Sequence, residues 1–181
     1  MLGLMKYLSV LGSLSLALLA GPAGAAISPA ASPKLAVLDV ELTGDLGGPQ
    51  FEAEHAARLQ RASTRLRREL EGSGLYRVVD LTPARAQIAR LQSQQRYLHD
   101  CNGCDLDVGR QLGADQVLVA WVDRVSGLIL TLTYEIHDVA SSRILARKSF
   151  DFRGDNDAAW THAITYMVRD LKTGTPAHVA E

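Results

Sequence analysis

The stretch from Leu112 to Phe152, LGADQVLVAWVDRVSGLILTLTYEIHDVASSRILARKSFDF, most constrains what this chain can become. It reads as three consecutive strands joined by tight turns at Ser126-Gly127 and Ala140-Ser141-Ser142. Val117 to Val122 is apolar on both faces, as a central strand requires. In the next strand Leu128, Leu130, Leu132, Tyr134 and Ile136 share one face, while Thr131, Thr133, Glu135 and His137 share the other. That is a strict period of two. In the third strand Ile144, Ala146, Phe150 and Phe152 alternate with Leu145, Arg147, Ser149, Asp151 and Arg153. Lys148 interrupts the apolar set, which predicts an edge position, where inward charges discourage aggregation.

The flanking sequence supplies helices to cover such a sheet. Leu35 to Val40 is a nearly continuous apolar run and reads as a first strand, followed by a loop from Leu42 to Pro49 with three glycines and a proline. Phe51 to Glu71 reads as a helix with Leu59, Ala62, Leu66 and Leu70 in one stripe, ended by Gly72-Ser73-Gly74. Arg58, Arg61, Arg65 and Arg68 form a second stripe, expected on the solvent side. Tyr76 to Asp80 is a short strand. Thr82-Pro83 signals a helix start, with a hydroxyl cap before a first-turn proline, and that helix is expected to run to Tyr97. A short helix from Leu106 to Leu112 stops at Gly113. After the meander, Asp155 or Asn156 caps a last helix whose stripe is Trp160, Ile164, Val168 and Leu171. The order β-α-β-α-α-β-β-β-α predicts an α/β (α+β) fold: a mixed sheet of about five strands, parallel early and antiparallel late, with helices packed on it.

The first 25 residues are read as a signal peptide. Lys6 precedes an apolar run from Tyr7 to Leu19, then Gly21-Pro22 and the small-residue site Ala23-Gly24-Ala25. The run is shorter than the roughly 20 residues a membrane span needs, so a stable anchor after cleavage is not expected. Residues 26–33 read as a flexible leader, 34–172 as one α/β domain and 173–181 as a frayed tail. Export places the domain in the periplasm. Removing Lys6 takes the formal charge only from −1 to −2, a balance that gives no general pull toward nucleic acid.

Few residues offer chemistry. Cys101 and Cys104 flank Asn102-Gly103, and Asp100, Asp105 and Asp107 surround them. Nearby carboxylates oppose the thiolate that a redox pair needs. A haem-attachment motif would carry histidine where Asp105 stands, and a zinc site would need further ligands, of which His99 is the nearest. The leading reading is a structural disulfide closing a four-residue loop, worth roughly 2 kcal/mol. Thiol-redox or metal-binding use of Cys101 and Cys104 is the alternative. Gly44, Gly47 and Gly48 lack G-x-G-x-x-G spacing, and no phosphate loop or H-E-x-x-H is present. His137 reads as a surface residue, and Asp39 as a lone carboxylate at the end of its strand. No catalytic residue, metal site or cofactor is expected. The four arginines at 58, 61, 65 and 68 are the candidate partner-contact residues.

Lys34 to Val40 resembles the opening strand of the TolB amino-terminal domain and of the curli secretion protein family. Leu70 to Asp80 (LEGSGLYRVVD), the Leu112-Gly113-Ala114-Asp115 tetrad and Asp138 to Leu145 are similar to later segments of those domains. The Asp-Cys-x-x-Cys loop is closer still to a family of exported proteobacterial proteins of unknown function. These resemblances imply a TolB-like fold and a soluble periplasmic accessory module, not an enzyme, acting by protein–protein contact. They also imply a link to a quinoprotein dehydrogenase system. TolB's propeller repeats and the curli family's lipid-anchor cysteine are missing, so specific partners do not carry over.

Overall fold

The computed structural model describes residues 32–174. The expected signal peptide at 1–25, most of the expected leader and nearly all of the expected tail lie outside the described residues. Strands β1 (Lys34–Val37), β2 (Glu41–Gly44), β3 (Arg77–Val78), β4 (Gln116–Arg124), β5 (Ile129–Asp138) and β6 (Ile144–Arg153) alternate with helices α1 (Glu52–Ser73), α2 (Arg85–Gln94), α3 (Cys104–Leu112) and α4 (Asp157–Thr173).

One mixed sheet runs β3-β1-β4-β5-β6, with β2 also paired to β4. β1 is parallel to β3 and β4, and the β4-β5-β6 meander is antiparallel. The sixth strand is the one the sequence hides. β1 and β2 lie end to end along β4, opposite Gln116–Leu118 and Trp121–Arg124. Between them the chain leaves the ladder, and α1 takes over its backbone groups: Arg67 Nε donates to the Val37 carbonyl at 3.0 Å, and the Val40 N–H donates to Ser63 Oγ at 2.9 Å. With those groups satisfied the chain steps out and re-enters, so the expected loop begins as strand.

Two apolar layers sandwich part of the sheet. On one face Leu66 and Leu70 of α1 and Trp160, Ile164 and Met167 of α4 pack on Leu35, Val37, Leu118, Leu132 and Tyr134. On the other face Ala84, Ile88 and Val108 pack on Ala36, Leu38, Val117 and Val119. α3 approaches β4 through Gly109, where a Cβ would lie 2.4 Å from a Val117 methyl and 2.8 Å from one of Val139. The second layer ends at β4, so β5 and β6 show a polar face beyond it. Across it Thr43, Asp123, Thr131 and Asp151 stand in one row.

Helix starts depart from expectation where side chains compete for the backbone. Asp80 Oδ1 accepts from both the N–H and the hydroxyl of Thr82, at 3.0 and 2.8 Å. Thr82 therefore does not cap. Pro83 sits in a short 3₁₀ turn, α2 starts at Arg85, and it ends at Gln94. Asn156 does cap α4, its Oδ1 accepting from the Ala159 N–H at 3.0 Å.

Candidate functional site

Among the described residues β6 closes the sheet on one side and pairs only with β5. The register skips Leu145: Ile136 faces Ala146 while His137 faces Ile144. This bulge turns Ile144 away from the apolar set it was expected to join, and it is exposed. From Ala146 to Arg153 the alternation holds. On the helix-covered side Lys148 donates to both carboxylate oxygens of Asp170 at 2.8 Å and lies 5.6 Å from the Phe150 ring centre. Asp170 brings the end of α4 against the start of β6. Phe150 meets Tyr166 edge-on at 5.0 Å, and Phe152 meets Trp160 at 6.1 Å. Tyr166 itself is 45% exposed. A groove thus runs between the strand edge and α4, floored by Phe150 and Phe152 and rimmed by His162, Tyr166 and Arg169. The opposite edge is made of the two-residue β3 and the four-residue β2.

The arginine stripe is only in part a solvent face. Arg58 is 5% exposed. Its Nη1 donates to Asp155 Oδ1 at 2.8 Å, its Nε to Asp157 Oδ1 at 3.2 Å, and its Nη2 to Glu54. Asp155 is the hub of a cluster that also accepts from Arg124 Nε at 2.8 Å and Trp160 Nε1 at 3.1 Å. Burial works against charge on Asp155, yet Arg124 and Arg58 outweigh it and hold its carboxyl below the usual range. Arg61 reaches Asp157 at 2.9 Å, and Arg65 pairs with Glu69 at 2.6 Å and with Thr165 at 3.1 Å. α1 is thereby bolted to α4. Arg58 is excluded from partner contact, since a cation enclosed by three carboxylates faces no solvent. Arg61 and Arg68 remain exposed.

His137 is not a surface residue either. Its Nδ1 meets Asp105 Oδ2 and its Nε2 meets Glu135 Oε2 at 2.8 Å. Hydrogen bonds to Asp105 and then Glu135 raise it to about 9, against the desolvation that would lower it. The imidazolium joins α3 to β5, and Arg147 Nη1 extends the network to Glu135 at 3.1 Å. Asp39 also has a partner, Arg67, at 2.6 Å. Cys101, in the turn before α3, is bonded to Cys104, the first residue of that helix, with Cα atoms 5.5 Å apart. Just ahead of them His99 stacks on Trp121, ring centres 4.3 Å apart, and its Nδ1 meets Glu41 at 2.5 Å. Among the described residues no group of three or more His, Cys, Asp or Glu is arranged to hold a metal ion. No described helix is long and apolar enough to cross a membrane.

The sequence carried a signal for the Asp105–His137–Glu135 network that its reading missed: Glu135 and His137 stand two apart on one strand face. The Asp155 hub had none, because its partners Arg58, Arg124 and Trp160 come from α1, β4 and α4.

Residues 33–171 match the family DUF3280, described as a protein of unknown function (DUF2380). The chain belongs to that family. The comparison with curated proteins finds no match. Among solved structures, this DUF3280 chain is similar to the LpoB C-terminal domain from Salmonella enterica, at 16% identity over 67% of this chain and 82% of that one, TM-score 0.45. It is similar to the PelC dodecamer from Paraburkholderia phytofirmans, at 13% identity over 83% and 91%, TM-score 0.47. It is also similar to TolB from Acinetobacter baumannii, at 13% identity over 81% of this chain and 29% of TolB, TM-score 0.44. TolB is the protein whose amino-terminal domain the sequence resembles.

Proposed function

We propose that this DUF3280 protein is a non-enzymatic, exported accessory module of the periplasm that binds a protein partner by strand addition at β6. The observation that carries this reading is a ten-residue strand with no neighbouring strand on its outer side among the described residues, beside a groove with aromatic walls. In strand addition the main-chain hydrogen bonds give affinity and the flanking side chains give specificity. Phe150, Phe152 and Tyr166 supply apolar contact on one side of the edge, and Arg147, Asp151 and Arg153 supply charge on the other. Arg61 and Arg68 offer a second, weaker contact patch on α1. A quinoprotein dehydrogenase system is the setting that the family resemblance implies for such a partner.

Tagged chain recovered from the periplasm should carry a partner at fixed stoichiometry. Hydrogen exchange then locates the contact: outward amides of β6 gain protection when the partner is bound. Protection confined to α1 or to the polar sheet face, with β6 unchanged, would rule out the edge as the site.

A further inference from the structure

We infer that the occupant of this edge is a second copy of the chain, paired β6 to β6 in antiparallel register with Ser149 on the twofold axis. The inference rests on the reading of β6 as the binding edge and names what fills it. A dyad normal to the sheet keeps every side chain on its own face, so opposed residues have numbers with an even sum. Charge then selects among the registers. A dyad at Lys148 sets Lys148 against itself, and a dyad at Phe150 sets Arg147 against Arg153 of the other copy. With the dyad at Ser149, Arg147 of each copy opposes Asp151 of the other, twice by symmetry.

The rest of that register fits as well. On the polar face Ser149 meets Ser149, two small hydroxyls on the axis. On the helix side Ala146 faces Phe152, small against large, and Lys148 faces the Phe150 ring, repeating the pairing it makes within its own strand at 5.6 Å. Arg147 and Asp151 are both exposed, and among the described residues each is engaged from the β5 side only: Arg147 by Glu135 at 3.1 Å, Asp151 by the Thr131 hydroxyl at 2.7 Å. Both are held over β5 while their outer sides face the open edge. The groove beside α4 becomes the cleft between two α4 helices across the seam, which buries Tyr166.

The same features stop the assembly at two. The bulge at Leu145 and the positive φ of 90° at Gly154 bound the pairable window to Ala146–Arg153. The opposite edge offers only the two-residue β3 and the four-residue β2, both too short to template another copy. Pairing one β6 with another uses up both long edges.

Sedimentation of the purified exported chain tests the pairing, and two sets of variants test its register. Ser149→Cys places two thiols across the dyad with Cα atoms about 4.5–5.5 Å apart, inside disulfide reach. It should give a covalent dimer on mild oxidation. Arg147→Cys, four residues out of register with its mate and roughly 13 Å away, should not. Arg147→Asp and Asp151→Arg should each weaken dimerisation about tenfold, because like charges then oppose twice. An equimolar mixture of those two variants should pair at close to the unsubstituted affinity, since every opposed charge is again unlike. A chain that stays monomeric at 100 μM (on the order of a weak dimer's Kd), or a dimer indifferent to all four changes, would overturn the inference. If the chain is monomeric but a periplasmic protein protects β6, self-pairing fails and the proposed function stands. If nothing protects β6, both fail.

Discussion

Two charge clusters fasten helices to opposite ends of the sheet, and they are built on different principles. At the Arg124 end of β4 the Asp155 carboxylate gathers two arginines, Arg58 and Arg124, and the neutral indole N–H of Trp160, and of these only the carboxylate titrates in the acid range. At the Val117 end, opposite His137, an imidazolium sits between Asp105 and Glu135 and ties α3 down. The first cluster depends on a carboxylate remaining ionised, the second on a histidine remaining protonated. Burial has to be balanced by pairing in both, but they fail at opposite ends of the pH scale.

The largest effect should come from breaking the first. Asp155→Asn keeps the shape and removes the charge, leaving Arg58 buried with partners only on its outer side. Removing one member of a buried pair costs about 3–5 kcal/mol, which for a domain of this size lowers Tm by about 10 °C. The sign of the pH dependence follows from the depressed carboxyl of Asp155. Its contribution is present above the ordinary carboxylate range and is lost as pH falls through and below it. Thermal melts of the two chains should converge in acid. A variant that melts within 2 °C of the parent at pH 7 would show that the hub is dispensable.

The second cluster breaks from the alkaline side. His137 is raised from 6.5 to about 9, so its contribution is complete below about pH 6.5 and lost as pH rises through about 9. Glu135, held low chiefly by its hydrogen bond to His137, adds a loss on the acid side. His137→Gln should cost about 1–2 kcal/mol at pH 6.5, after allowance for partial solvent screening, and almost nothing at pH 10. An effect independent of pH would mean that His137 acts by packing alone. The Cys101–Cys104 bond lies at the start of the same helix. Reducing it should cost roughly 2 kcal/mol on the loop-entropy argument, and reduction should leave the Asp155 cluster undisturbed. If alkylation before reduction labels either cysteine, the pair is a reactive thiol site and not a clamp.

The contrast also marks what a sequence can disclose. Local periodicity carries the meander, both long helices and the parallel-then-antiparallel order, because each rests on neighbours within a few residues. The interruption between β1 and β2 was beyond its reach, since Ser63 and Arg67 cause it from α1, 23 and 30 residues away. Arg58, Arg61 and Arg65 have the spacing of a solvated stripe, and nothing local distinguishes that from a stripe facing α4. The partners that decide it lie about 100 residues downstream. Lys148 is the instructive exception. One charge in an apolar alternation was enough to place β6 at an edge, although the carboxylate that satisfies Lys148 is Asp170 of the covering helix α4.

Within the first cluster Arg58 and Arg61 give the finest test of the comparison. Both donate to the same atom, Asp157 Oδ1, at 3.2 and 2.9 Å. Distance alone ranks Arg61 as the stronger partner. Burial reverses that ranking: the Arg61 and Asp157 side chains are 54% and 56% exposed, whereas that of Arg58 is 6% exposed. Water screens the first pair and restores its charges when it breaks, while Arg58 has no such recourse. Arg61→Ala should therefore cost no more than about 0.5 kcal/mol, and raising the salt to 1 M should erase even that. Arg58→Ala should approach the Asp155→Asn value and resist salt. Equal losses for the two arginines would mean that hydrogen-bond length, and not burial, sets the strength of this end of the fold.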